Sequence, residues 1–267
     1  ATATGIRSVA IGENADAQGD NATAIGNESI ANGADALAIG DTAMATGPST
    51  TAVGGESVAT GPGASTFGWR AESGERSTAV GHLATATGVR SVAIGENADA
   101  QGDNATAIGN ESIANGADAL AIGDTTMATG TSTTAVGGES IANGTAATAF
   151  GWKSNATGER AHAMGHLATA TGDRTLAVGE AATAAGEQAS AIGNEASATG
   201  IDATAIGTQS IANGNSTTAV GGESVADGLA ATAYGWKSNA TGERAHAMGH
   251  LATATGDRTL AVGEAAT

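Results

Sequence analysis

The chain has 267 residues, of which 42 are glycine, six are aromatic, two are proline and none is cysteine. So few large side chains exclude an ordinary globular core, and so little proline excludes collagen, while the absent thiols exclude disulfides and thiolate metal sites. A net charge of −17, from 27 carboxylates against 10 lysines and arginines, argues against nucleic acid, heparin or anionic membrane as partners.

Taken in order, the chain is a lattice of glycines. They fall at 5, 12, 19, 26, 33, 40, 47, 54, 61 and 68, then after one step of six at 74, and every seventh residue to 263. Gly55, Gly63, Gly138 and Gly222 lie off this lattice. Seven residues are too few for a capped helix but suffice for a short strand and a turn, and the segments carry the period-2 pattern of strands. Glycine is expected to supply the positive φ of each corner, supported by Asn-Gly at 32–33, 115–116, 143–144 and 213–214. Pro48 and Pro62 directly follow lattice glycines, where a missing N–H costs a ladder nothing.

Strands alternate between two types. A strands end before Gly12, Gly26 and Gly40, and B strands before Gly19, Gly33 and Gly47. Both place small residues two and four positions before the glycine, such as Ala24 and Ala22 or Ala31 and Ser29. Residues two apart share a face, so each strand offers one small-residue face to a closely packed second sheet.

The residue directly before the glycine is polar in nearly all B strands but always apolar in A strands. The apolar series is Ile11, Ile25, Ile39, Val53, Phe67, Val80, Ile94, Ile108, Ile122, Val136, Phe150, Met164, Val178, Ile192, Ile206, Val220, Tyr234, Met248 and Val262. An antiparallel meander would mix the two types in one sheet, whereas a coil of two strands per fourteen residues sorts them. The predicted fold is therefore all-β: a parallel β-roll, or β-solenoid, of about nineteen 14-residue coils, about 90 Å long at ~4.8 Å per coil. A superrepeat of about 84 residues overlies it, since residues 8–42 recur at 91–125 and 157–183 recur at 241–267. The six-residue step reflects one residue missing between Trp69 and Gly74, compared with Trp152 to Gly158. No linker interrupts residues 1–267, which read as one segment cut from a longer protein, and no run of ~18 apolar residues is present to span a bilayer.

An uncovered ladder of nineteen such side chains would far exceed the apolar patches of monomers, so the A face is assigned to a contact with parallel copies. Periodicity alone does not select two, three or four.

Several residues invite chemistry. His82, His166 and His250 each follow a lattice glycine, while His162 and His246 lie on the outer face of A strands. In a trimer the latter two would form axial rings able to bind a metal or an anion, although a polar layer inside the contact is the preferred reading. Trp69, Trp152 and Trp236 occupy one equivalent turn per superrepeat, as ligand anchors or, preferably, as covers for the adjoining apolar ladder. A patchy stripe on the B strands, Ile30, Met44, Val58, Ile113, Met127, Ile141, Ile211 and Val225, packs on a neighbour or forms an adhesive surface. Asn-x-Ser/Thr triplets such as the one at Asn27 are expected by chance in this composition. No catalytic triad, phosphate loop, zinc pattern or calcium repeat is present, so neither an enzyme nor a cofactor is expected.

Repeats such as Ser91-Val92-Ala93-Ile94-Gly95-Glu96-Asn97-Ala98-Asp99-Ala100-Gln101-Gly102 resemble the fourteen-residue head repeats of YadA-like trimeric autotransporter adhesins, and the resemblance covers essentially the whole chain. It implies a left-handed roll in a parallel homotrimer, although the general crossover rule favours the right hand. It also implies a head displayed on a Gram-negative cell surface, anchored in the outer membrane through regions outside this chain. The implied role is multivalent attachment to host extracellular matrix, cells or surfaces. Alternatives are a passive spacer holding another domain away from the cell, or an ice-binding solenoid. The latter is disfavoured because the Thr pairs at 85/87, 169/171 and 253/255 are interrupted by Asp16/Gln18 and Met44/Thr46.

Overall fold

A computed structural model describes residues 1–267, which form two compact units, Ala1–Ser132 and Thr133–Thr267. Every regular element is a short strand, and three-residue A strands alternate with two-residue B strands except between Val92–Ile94 and Thr106–Ile108. The first unit holds nine A strands, from Val9–Ile11 to Leu120–Ile122, and the second ten, from Thr134–Val136 to Leu260–Val262. Within each unit, A strands pair only with A strands and B strands only with B strands. All pairs are parallel, as in Ala24↔Ala38 and Ala31↔Ala45. The chain is thus the expected β-solenoid, because only a fourteen-residue coil places each apolar outer residue directly above its counterpart.

Between the sheets lies an interior of alanine with some serine and threonine. Ala24, Ala31, Ala38 and Ala45 are completely buried. These side chains bury little apolar area each, so the backbone ladders carry much of the cohesion. Buried hydroxyls serve the turns: Ser29 donates to the Gly26 carbonyl at 3.0 Å and Thr50 to the Gly47 carbonyl at 2.7 Å. In the coil lacking one residue, Thr66 replaces the usual core alanine and its hydroxyl pairs with that of Ser73, also buried. The A ladder crosses this coil without slipping, at Thr66↔Ala79.

The expected role of glycine needs correction. The left-handed residue of each corner is the second after the lattice glycine and is seldom glycine: Asn21 has φ 58°, Glu28 54° and Ala181 53°. Its strain, about 1–2 kcal/mol for a residue with a Cβ, is offset by a backbone bond to the coil before. Glu28, for example, donates to the Glu13 carbonyl at 2.8 Å. A-type glycines do have positive φ, as at Gly26 (136°), but B-type glycines such as Gly19 do not. Crowding is what both types share. A Cβ on Gly19 would lie 1.9 Å from the Gly33 carbonyl oxygen, and one on Gly26 2.2 Å from that of Gly40. Coils approach too closely at the corner for any side chain.

Candidate functional surfaces

The outer face of the A sheet is the apolar ladder. Its rungs stack in register, Ile25↔Ile39↔Val53 in the first unit and Val136↔Phe150↔Met164 in the second. Each rung covers part of the next, so Ile25, Ile108 and Val178 are half-buried. Phe67, Phe150, Met164, Tyr234 and Met248 are exposed. His162 stands on this face between Thr148 and Leu176, and His246 between Thr232 and Leu260. Within one chain neither meets a second imidazole, and no three His, Asp or Glu side chains are grouped to hold a metal ion.

The tryptophans sit in the turns that follow A strands. Each indole stacks on the histidine of the next coil. Trp69 meets His82 at 4.9 Å between ring centroids with planes 10° apart, and Trp152–His166 and Trp236–His250 repeat this at 5.0 Å with 12° and 11°. A cation also sits over each indole: Arg70 at 4.4 Å, Lys153 at 4.2 Å and Lys237 at 4.3 Å. These cations reach back one coil to Glu56, Glu139 and Glu223. The histidines reach forward one coil to Glu96, Glu180 and Glu264, with Nδ1–Oε1 distances of 3.4, 3.4 and 3.6 Å.

Off-lattice glycines complete the arrangement. A Cβ on Gly55 would lie 3.2 Å from Cδ1 of Trp69, and one on Gly222 3.3 Å from Cδ1 of Trp236. The sequence carries this column in plain view, as Gly-Gly, Gly-Trp, Gly-His and Gly-Glu at successive coil spacings. Noting the residues separately conceals it, and the missing residue before Gly74 shortens the Trp69–His82 spacing to thirteen.

The outer face of the B sheet is mixed. Ile30, Met44, Val58, Ile113, Met127 and Ile141 are half-buried by their neighbours above and below. Polar residues interrupt the stripe, and Oδ1 of Asp16, Asp99, Asn155 and Asn239 is buried without a hydrogen-bond partner. At Asp99 the B ladder thins to isolated bridges with Thr85 and Ile113. Burial raises the Asp99 carboxyl above its ordinary pKa, partly countered by the hydrogen bond from Gln101.

A parallel two-sheet solenoid with a small-residue interior and an apolar outer ladder defines a class of repeat proteins. Comparison with known families matches the YadA head domain repeat (two copies) twelve times, from residues 3–29 and 17–43 through 198–224 and 212–238 to 240–264. The chain belongs to the YadA head-repeat family. No curated protein matches it. Among solved structures it is similar to the collagen-binding domain of the Yersinia adhesin YadA. The identity is 24%, covering 62% of this chain and 69% of that one, with a TM-score of 0.32. The family assignment therefore rests on the repeats and not on superposition.

Proposed function

We propose that residues 1–267 are one segment of an adhesin head, displayed on a Gram-negative cell surface as a parallel homotrimer and attaching the cell to host extracellular matrix, cells or surfaces. The observation that carries this reading is the unbroken apolar ladder on the A face, one rung per coil, from Ile11 to Ile122 in one unit and Val136 to Val262 in the other. The rungs are already partly buried by one another, so covering what remains contributes roughly half of the ~1.5–3 kcal/mol of a full burial each, which summed along the ladder still rivals the whole stability of a typical domain. A parallel neighbour of the same repeat length presents a matching ladder, and a closed ring covers all copies equally.

Repetition suits adhesion because weak contacts spaced along one body add as avidity. His162 and His246 then form polar layers inside the contact, with the tryptophans outside it. Outer-membrane anchoring belongs to regions outside these residues.

The test has two arms. Purified protein is applied to immobilised matrix proteins, beginning with collagen, which the Yersinia domain is described as binding. The same segment is also displayed on a non-adherent Gram-negative cell. Saturable binding in both arms supports the adhesin. Its absence on matrix, on host cells and on abiotic surfaces, with the trimer intact, favours the spacer.

A further inference from the structure

We propose that the Gly–Trp–His–Glu columns are proton-operated clasps that tighten the coil stack under mildly acidic conditions. Each column draws one residue from the same turn position of four successive coils: Gly55, Trp69, His82 and Glu96 in the first unit, then Gly138, Trp152, His166 and Glu180, and Gly222, Trp236, His250 and Glu264 in the second. The geometry recurs three times within 0.1 Å in ring separation and 0.2 Å in the His–Glu distance. Such repetition marks a built feature.

The imidazole lies between an indole face and a carboxylate, and it belongs to the side chain whose charge changes near physiological pH. When neutral, it stacks on the indole and meets Glu96 as a dipole. When protonated, it becomes a cation against a π face on one side and an anion on the other, and both contacts strengthen. The opposing charge is the cation across the indole: Arg70 for His82, Lys153 for His166 and Lys237 for His250. Each of these is already paired with a glutamate, Glu56, Glu139 or Glu223. Every histidine therefore meets one carboxylate directly, while the cation on its indole is held by a second one two coils away. The added cohesion accompanies the protonated imidazole and is absent from the neutral one.

What is clasped is the coil spacing itself. Glu56 to Arg70, Trp69 to His82 and His82 to Glu96 tie four consecutive coils along one edge, outside the backbone ladders.

Two measurements test this. The chain has three tryptophans and each stacks on one of these histidines, so total indole emission reports the columns directly. Emission of the wild-type protein is expected to fall between pH 7.5 and 5.5 as imidazolium forms against the indoles, and a flat profile would overturn the proposal. The second is thermal melting of the wild type against H82Q/H166Q/H250Q at both pH values, which leaves His162 and His246 in each protein. The gap in Tm is expected to widen by roughly 2–5 °C at pH 5.5, given three exposed charge pairs. E96Q/E180Q/E264Q should keep the stack but lose most of that widening. A gap that is constant, or larger at pH 7.5, would refute the clasp.

Discussion

Gly200→Ala separates two accounts of why glycine recurs every seventh residue. Gly200 is a B-type glycine whose φ lies outside the left-handed region, so if conformation were the reason, alanine would be tolerated. The structure indicates otherwise. A Cβ there would lie 2.0 Å from the Gly214 carbonyl oxygen, 2.4 Å from its carbon and 2.9 Å from the Asn213 carbonyl oxygen. All three are backbone atoms, so relief requires parting the coils by more than ~1 Å, which stretches ladder bonds such as Thr199 N–H to the Ala212 carbonyl, now 3.0 Å. Ordinary overpacking costs about 1–3 kcal/mol, and rigid backbone neighbours put this case at or above the upper end. At ~3 °C per kcal/mol for a unit of this size, Tm should fall by about 10 °C. Gly63→Ala is the control: φ is +70° there, but a Cβ finds nothing nearer than 3.7 Å, and a loss of only ~1 kcal/mol is expected. Circular dichroism melts of both variants decide the matter, and a Gly200→Ala protein melting within 2–3 °C of wild type would refute the crowding account.

Ala181→Gly tests the other half of the corner: Ala181 has φ 53°, so glycine should raise Tm by relieving about 1–2 kcal/mol of strain, less ~0.5–1 kcal/mol of added chain entropy. Asp99→Asn should raise Tm at pH 7, because the buried carboxylate is penalised when ionised and Asn155 and Asn239 occupy corresponding B-face positions. The penalty is present above the raised pKa and vanishes below the ordinary value of 3.8, so the two melting curves should converge on acidification; a lower Tm for Asn at pH 7 would contradict this. Ile108→Asp should shift the protein toward monomer at micromolar concentration, since three carboxylates confined in one contact cost well over ~3 kcal/mol; sedimentation velocity reads the change, and an unaltered profile would put the A face in solvent.

The coil lattice was legible in the sequence because one physical demand repeats without exception. Ala24, Ala31 and Ala38 must be small for two sheets to close, and apolar Ile25 and Ile39 alternate with polar Gln18 and Asn32, so a period of fourteen and a sorting into two parallel sheets follow from residue size and polarity together. The corner was misread because a glycine signals either positive φ or close approach, and one-dimensional spacing does not distinguish them. Only the distance from Gly19 to the Gly33 carbonyl does. The tryptophan columns escaped for a related reason. Trp152 lies two residues from Phe150 in sequence, whereas its ring partner, His166, is fourteen residues away and one coil up. Along a solenoid, the residue at i+14 is a closer neighbour than the residue at i+2.

The most direct test of the central claim, that the A face exists to join copies of this chain, is the mass in solution by multi-angle light scattering. Three times the chain mass of 25.3 kDa, about 76 kDa, is the result expected for the proposed closed trimer. A monodisperse species at 25.3 kDa, stable on dilution, would contradict it.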